Sequence, residues 1–177
     1  MSSRLVFIDR DGVINRDSDA YIKSADEWDP LPGSLEALAQ LTAAGFDVVV
    51  ISNQSGIGRK LFSEATLAQI HAKMLRAVEA AGGRIAAVYY CPHRPDEACE
   101  CRKPKPKMLL DAARDFARPI AGVPFIGDKA SDIGAARAAG ARPIFVGRSL
   151  PEDVDAGVER YATLADAARQ LIAEASH

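Results

Sequence analysis

Short apolar runs alternate with amphipathic segments along the 177-residue chain, and this alternation restricts the fold more than any other feature. Apolar runs rich in β-branched residues, such as the one at 46–51, are typical of strands that are buried on both faces. The segments between the runs carry apolar residues at helical spacing. We predict strands at 5–8, 46–51, 85–90, 123–126 and 143–146, and helices at 33–44, 63–81, 106–117, 131–139 and 163–174. This order predicts an α/β fold, a doubly wound parallel sheet with helices on both faces.

The chain has the composition of an ordinary globular protein, with 48% hydrophobic and 26% charged residues, which excludes disordered, collagen-like and coiled-coil classes. Because no repeat or long linker divides it, we expect a single domain over residues 1–177, without a separate lid domain. It contains no run of 18 apolar residues, and its first apolar run is too short for a signal peptide. We therefore expect a cytoplasmic protein without a membrane partner. The net charge of −2 also argues against a nucleic-acid partner, and we take a monomer as the default.

Unusual polar residues directly follow three of the predicted strands. Asp9 and Asp11 follow the first, residues 52–56 follow the second, and Asp128 follows the run at 123–126. In such sheets ligands bind at the carboxyl ends of the strands, so these residues are expected to converge on one edge. Adjacent carboxylates repel each other unless a cation or a proton lies between them, and their oxygen atoms suit Mg²⁺. An Asp-x-Asp pair can also simply cap a loop, but with Asp128 the set predicts a magnesium site.

Two further segments are suited to binding phosphate. Residues 52–58 form a loop with two glycines, which lets backbone N–H groups approach an anion, and Ser52 adds a hydroxyl donor. Residues 102–107 carry four cations in six positions, spaced by prolines. The alternatives are an ordinary strand–helix turn for the first segment, and a solvated face or a short nucleic-acid patch for the second.

Three cysteines and a histidine lie within eleven residues, at Cys91, His93, Cys99 and Cys101. This set supplies the ligands of a closed, structural Cys₃His zinc site. The alternative is a group of buried free thiols. We hypothesise that zinc fixes this loop and directs Arg102 and Lys103 towards the acidic edge.

Two other residues carry less information. His71 lies in the predicted helix at 63–81, where we expect it to be partly exposed. Trp28 follows the first acidic motif, and it either borders the site or packs in the core.

The motifs resemble those of the haloacid dehalogenase-like phosphatases. The resemblance rests on Asp9-Arg10-Asp11-Gly12, on Ser52 at a strand end, on Lys103 and on Gly127-Asp128, in this order. The segments Ser-Asn-Gln-Ser-Gly-Ile-Gly, Cys-Pro-His, Cys-x-Cys-Arg-Lys-Pro and Gly-Asp-Lys are similar to one branch, the D-glycero-D-manno-heptose-1,7-bisphosphate 7-phosphatases and the related histidinol-phosphate phosphatases. The resemblance covers residues 5 to 147.

The resemblance implies a mechanism and a set of roles. Asp9 would be the nucleophile that forms a phosphoaspartate, and Asp11 would be first the general acid and then the general base. Catalytic Mg²⁺ would be held by Asp9, Asp128 and the backbone carbonyl of Asp11. To act as an acid near neutral pH, the Asp11 carboxyl would need a raised pKa. Ser52 and Lys103 would hold the phosphoryl oxygens. The residues expected to recognise the substrate are Asp17, Tyr21, Asn53, Gln54, Ser55, Arg102 and Lys129.

The substrate is the least determined part of the resemblance. Val13 stands where many relatives carry Thr, and Lys107 replaces a glycine that is common in the heptose enzymes. Ser55 in the segment Asn-Gln-Ser-Gly, and Pro106 with Met108, favour a heptose bisphosphate. This substrate implies a role in making a lipopolysaccharide precursor. Histidinol phosphate is the alternative substrate. A zinc-knuckle module that binds nucleic acid through residues 102–107 is the alternative of another class.

Overall fold

The computed structural model describes residues 4–177, which form six strands, five α-helices and one short 3₁₀ turn at Ala25–Glu27. The strands are β1 (Arg4–Ile8), β2 (Phe46–Asn53), β3 (Ile85–Cys91), β4 (Pro124–Gly127), β5 (Arg142–Val146) and β6 (Glu159–Tyr161). The helices are α1 (Ser34–Ala43), α2 (Glu64–Ala80), α3 (Lys107–Asp115), α4 (Ala130–Ala139) and α5 (Leu164–Ala175). The ten predicted elements are all present, with ends that differ by no more than about two residues.

All six strands belong to one parallel sheet, in the order β3-β2-β1-β4-β5-β6. Val6 is paired with Val48 of β2, and Phe7 is paired with Phe125 of β4, so β1 lies at the centre. The predicted doubly wound parallel sheet is therefore confirmed. The chain reverses its direction of winding between β1 and β4, and a ligand crevice is expected at that point.

Strand β6 is the one strand that the sequence analysis did not predict. It contains only three residues, two of them charged, and pairs with the end of β5. This strand forms through its pairing with β5, and its sequence contains neither an apolar run nor an alternating pattern from which it could be predicted.

The sheet buries both faces, since alternate residues of each strand enter different cores. Val6 and Ile8 contact α1, α2 and α5 on one face, whereas Leu5 and Phe7 contact α3 and α4 on the other. Trp28 packs in the first of these cores, where it is 2% exposed. Of the two alternatives for Trp28, core packing is thus the one observed.

Helix α2 begins where the sequence predicts, because the Ser63 hydroxyl accepts a hydrogen bond from the Thr66 N–H. His71 lies on its buried face and is only 8% exposed, so the expectation of partial exposure is wrong. Its burial is compensated by a polar partner, because the buried Arg10 lies within hydrogen-bond distance of His71 Nε2. Within residues 4–177, no helix combines the length and the apolar character that crossing a membrane requires.

Candidate active site

A cavity of about 280 Å³ opens at the carboxyl ends of β1, β2 and β4. It lies at the winding reversal of the sheet, where the three polar segments were expected to meet. Most of the predicted site residues line it, and Ser52 and Asp128 form hydrogen bonds with lining residues. The predicted residues that line the cavity are Asp9, Asp11, Asp17, Tyr21, Asn53, Gln54, Ser55, Arg102, Lys103 and Lys129.

Lys103 is the buried cation of the site. Its Nζ donates to Asp9 Oδ1 at 3.0 Å, to Asp132 Oδ1 at 2.6 Å and to the Ile51 carbonyl at 2.9 Å. Two carboxylates share one ammonium group, and Lys103 is 3% exposed. A lysine without a partner would favour its neutral form at such depth, but the charges of Asp132 and Asp9 outweigh burial and raise the pKa of Lys103.

Asp9, Asp128 and Asp132 form an acidic cluster whose nearest oxygen atoms lie within 4.8 Å of one another. Asp132 is already occupied, because its Oδ2 accepts the backbone N–H groups of Asp128 and Lys129 and its Oδ1 accepts Lys103. Asp9 and Asp128 therefore offer the oxygen atoms that remain for a cation. This donor set is hard and anionic, so these residues fit Mg²⁺.

The crowding of carboxylates changes their ionisation. Burial, followed by the charge of Asp132, raises the pKa of Asp9 to about 7. Burial, followed by the charge of Asp9, raises the pKa of Asp128 to about 7. A divalent cation bound between two such carboxylates would offset the repulsion between their charges and so favour their ionised forms.

Gly12 allows the acidic residues to approach each other. It has a φ of +84°, and a Cβ atom there would lie 1.9 Å from Asp128 Oδ2. The position thus needs glycine both for its left-handed backbone and for space.

Asp11 is held by an array of donors beside the acidic cluster. Arg10 Nε donates to its Oδ1 at 2.9 Å and Arg10 Nη2 to its Oδ2 at 3.1 Å, while Asn15 and Gln54 each donate an amide hydrogen bond. Burial would raise the pKa of Asp11, but Arg10 and these hydrogen bonds outweigh burial and lower it. The pKa of Asp11 is thus lowered, not raised as expected for a general acid, and its surroundings favour the carboxylate form.

The end of β2 and the loop that follows it form hydrogen bonds with other parts of the site. Gln54 Nε2 donates both to Ser52 Oγ at 2.8 Å and to Asp11. Asn53 exchanges two hydrogen bonds with the backbone of Lys103, at 3.0 and 3.1 Å. Ser55 lines the cavity and is largely buried. The segment at 52–58 and the basic segment at 102–107 are thus connected by hydrogen bonds.

Lys129 links Asp17, which lines the cavity, to Asp128 of the acidic cluster. Its Nζ lies 2.9 Å from Asp17 Oδ2 and 3.3 Å from both carboxylate oxygens of Asp128. Tyr21, in the same loop as Asp17, has a φ of 66°, a left-handed conformation that is rare for a residue of this size. Arg102 lines the cavity from the opposite segment. These four residues line the same cavity as Asp9 and Asp132 of the acidic cluster.

The predicted zinc ligands come together in space. Cys91 Sγ lies 3.1 Å from Cys101 Sγ and 3.8 Å from Cys99 Sγ, and His93 Nδ1 lies 3.2 Å from Cys101 Sγ. The four ligand atoms are mutually within 4.8 Å, as a tetrahedral Cys₃His site requires. The residues present thus fit zinc.

The basic segment at 102–107 does not form one charged surface. Lys103 is buried in the site, Lys107 is paired with Asp111, and Lys105 contacts Glu100 and the Cys99 carbonyl. Only Arg102 and Lys103 face the cavity. Nothing in this arrangement favours the nucleic-acid interpretation.

Asp132 and Arg10 were missed by the sequence analysis. Asp132 lies in the first turn of α4, where an acidic residue ordinarily interacts with the helix N-terminus, and that role concealed its contact with Lys103. The signal available was its position four residues after Asp128 on the same edge of the sheet. Arg10 stands between two site residues, where the alternation of side chains along a strand gives no reason to expect its contact with Asp11.

Comparison with known proteins identifies a family of hydrolases that this chain matches. Residues 4–140 match the family model described as haloacid dehalogenase-like hydrolase. The D-glycero-beta-D-manno-heptose-1,7-bisphosphate 7-phosphatase of Pseudomonas putida is 47% identical over 174 residues, which cover 96% of this chain and 99% of that protein.

Solved structures extend the likeness to three dimensions. The D,D-heptose 1,7-bisphosphate phosphatase of Bordetella bronchiseptica, in complex with magnesium and phosphate, superposes with a TM-score of 0.89 at 47% identity and covers 97% of this chain and 99% of that one. The corresponding enzyme of Burkholderia thailandensis gives a TM-score of 0.71 at 39% identity, with 96% and 99% covered. The chain therefore belongs to the haloacid dehalogenase-like hydrolases, in the branch of the D-glycero-D-manno-heptose-1,7-bisphosphate 7-phosphatases.

Proposed function

We propose that this protein is a Mg²⁺-dependent phosphatase that removes the C7 phosphate of D-glycero-D-manno-heptose 1,7-bisphosphate through a phosphoaspartate on Asp9. The observation that carries the proposal is the placement of Asp9 between the Lys103 ammonium and the Asp128 carboxylate at the base of the cavity. The high identity to enzymes named for this substrate supports the choice of sugar, and their names specify the β anomer.

In the first step an Asp9 carboxylate oxygen forms a bond to phosphorus while the bond between phosphorus and the sugar oxygen breaks. Asp11 gives its proton to the departing sugar oxygen. Arg10 and the hydrogen bonds lower the pKa of Asp11, whereas a phosphate dianion beside it would raise this pKa, because a like charge disfavours ionisation. The proposed first step requires that Asp11 take up a proton when the substrate binds.

In the second step the phosphoaspartate is hydrolysed. The carboxylate of Asp11 takes a proton from a water molecule, whose oxygen forms a bond to phosphorus as the bond to Asp9 breaks. Arg10, Asn15 and Gln54 keep Asp11 ionised and oriented for this step. Splitting the displacement into two steps is the advantage of a carboxylate nucleophile.

The charge of the transferred group is balanced by fixed cations. When substrate binds, Lys103 Nζ would exchange one of its three hydrogen bonds for an equatorial oxygen, and the Ser52 hydroxyl would donate to another. Such donors supply most of the stabilisation in phosphoryl transfer. Asp9, Asp128 and the backbone carbonyl of Asp11 would hold Mg²⁺, which when bound neutralises charge between the nucleophile and the phosphate.

The rest of the substrate is recognised around the cavity entrance. The second phosphate meets Arg102 and Lys129, and the sugar hydroxyls meet polar groups from the two loops. The residues proposed for this recognition are Asp17, Tyr21, Asn53, Gln54, Ser55, Arg102 and Lys129.

We also propose that Cys91, His93, Cys99 and Cys101 bind one structural zinc ion. Zinc would fix the loop that precedes Arg102 and Lys103, and would thereby place both cations. Because reduced thiolates persist in the cytoplasm, we propose that the enzyme acts there. We also propose that it acts as a monomer, without nucleic-acid or membrane partners. Its product would supply a heptose precursor of lipopolysaccharide.

The test is a comparison of substrates in the presence of Mg²⁺. The protein is expected to release phosphate from heptose 1,7-bisphosphate in preference to histidinol phosphate. A preference for histidinol phosphate would contradict the proposed substrate but retain the chemistry of Asp9 and Asp11.

A further inference from the structure

A buried polar chain behind the cavity joins helix α2 to Asp11. Arg10 is fully buried, and its Nε and Nη2 grip the Asp11 carboxylate in a fork. On the far side, Arg10 Nη1 lies 3.2 Å from His71 Nε2. The chain therefore runs from His71 through Arg10 to Asp11, which the proposed function assigns as the acid and base.

The direction of the hydrogen bond fixes the state of the histidine. A guanidinium group only donates hydrogen bonds, so His71 Nε2 must accept, and the ring must carry its proton on Nδ1. Burial, followed by the charge of Arg10, lowers the pKa of His71 to about 4, in agreement with a neutral ring at pH 7.

The ring of His71 is itself held in place. It makes an edge contact with the ring of Tyr90, with centroids 6.1 Å apart, and His71 belongs to the buried face of α2 together with Ile70 and Met74. A side chain held in this way gives Arg10 one preferred orientation. If residue 71 offered no acceptor, the buried Arg10 Nη1 would lose this hydrogen bond, and a buried donor without a partner costs free energy.

We propose that His71 is a positioning residue, which orients Arg10 and through it holds Asp11 in the geometry that proton transfer needs. The proposal rests on the proposed function, since it assigns to His71 an effect on the step that Asp11 performs. Its physical basis is that small displacements of a catalytic group have large effects on rate.

Two substitutions separate this role from simple core packing. His71→Phe keeps a ring but removes the acceptor, whereas His71→Gln places an amide oxygen near the position of Nε2. Val78→Ala, on the same buried face of α2, is the matched control for loss of packing. The readouts are kcat, KM and the thermal midpoint for heptose 1,7-bisphosphate.

We expect His71→Phe to lower kcat about 10- to 100-fold with little change in KM, the range found for residues that orient catalytic ligands. His71→Gln should recover most of the loss, and Val78→Ala should lower the thermal midpoint while leaving kcat within about threefold of the parent. Equal losses for His71→Phe and His71→Gln, or an unchanged kcat in His71→Phe, would overturn the proposal. Absence of turnover by the unmodified protein would instead contradict the proposed function.

A second measurement does not depend on turnover. The chain has three histidines, so ¹⁵N spectra of the imidazole groups at pH 7 can be assigned with His71→Gln as the reference. The expected result is an unprotonated Nε2 and a protonated Nδ1 for His71. An Nε2–H tautomer or an imidazolium ring would overturn the proposal whatever the substrate is.

Discussion

Lys103 Nζ lies 3.0 Å from Asp9 Oδ1, although 94 residues separate the two along the chain. The same ammonium group also binds Asp132, so three elements of the fold meet at one buried charge. This contact unites the residue proposed to attack phosphorus with a cation that can neutralise the attacked group. It also makes the stability of the site depend on Lys103.

Replacing Lys103 by Met should impair both folding and activity. The change leaves Asp9 and Asp132 buried without their cation, and breaking a buried pair of this kind costs about 3–5 kcal/mol. Loss of a donor to the phosphoryl oxygens should lower kcat roughly 10²- to 10³-fold. Denaturant unfolding and phosphate release measure the two effects.

Lys107→Met is the matched control, because Lys107 belongs to the same basic segment but forms an exposed pair with Asp111. Its effect on the free energy of unfolding should stay below about 1 kcal/mol, since exposed pairs contribute little. Similar losses in both variants would contradict the special role of Lys103.

Gly12→Ala should remove activity beyond the effect of backbone strain. The added Cβ would lie 1.9 Å from Asp128 Oδ2, so the acidic cluster must rearrange. Gly122→Ala tests strain alone, because Gly122 has a φ of +75° but has no atom within 4 Å of the added Cβ. We expect each change to cost about 1–2 kcal/mol from the left-handed backbone, and only Gly12→Ala to abolish phosphate release. An active Gly12→Ala enzyme would refute the close packing of residue 12 against Asp128.

Removal of zinc should loosen the loop at 91–101 and lower the thermal midpoint. Gly58 packs on this loop, with its N–H bonded to the Pro92 carbonyl, so the disturbance should reach the segment after β2. Metal analysis is expected to give one zinc per chain, and Cys101→Ser is expected to reduce that content. A freshly purified protein without zinc would contradict this assignment.

Stability in acid should depend on Glu174. Hydrogen bonds from Arg142 and Gln170 lower the pKa of Glu174 from 4.5 to about 2. Because the folded-state pKa is depressed, Glu174 stabilises the fold above pH 4.5, and this stabilisation is lost as the pH falls from 4.5 towards 2. Glu174→Gln should therefore lower stability at pH 7 and make it fall less steeply below pH 4.5.

The control for this prediction is Glu79→Gln, on an exposed position of α2. Chemical unfolding at a series of pH values measures both variants. Parallel pH curves for Glu174→Gln and the unmodified protein would show that the contacts with Arg142 do not affect acid stability.

Much of the fold follows from the sequence because local patterns and tertiary structure agree. Buried strands such as β1 and β2 are continuous apolar runs, and Asp9, Asp11 and Asp128 directly follow such runs. In a parallel sheet the ends of the strands meet, so the convergence of these residues could be predicted. Strand β6 lacks such a pattern and depends on its neighbour β5.

The residues that escaped prediction are those defined by long-range partners. His71 looks like an ordinary polar residue of an amphipathic helix, and only Arg10 beneath it explains its burial. The pKa of Asp11 is lowered by two partners near it in the sequence, Arg10 and Asn15, and by the distant Gln54, and the sequence does not show that all three side chains turn towards its carboxylate. Sequence patterns locate side chains on elements, but electrostatic balance depends on distances that only the folded chain provides.

The most direct test of the account follows the phosphate at C7. With Mg²⁺ and heptose 1,7-bisphosphate, ³¹P NMR is expected to show loss of the C7 phosphate, retention of the C1 phosphate, and no reaction with Asp9→Asn. Asp9→Asn keeps the shape of the side chain but removes the nucleophilic carboxylate. Release of the C1 phosphate would contradict the proposed substrate orientation, and sustained turnover by a folded Asp9→Asn protein would contradict the phosphoaspartate mechanism.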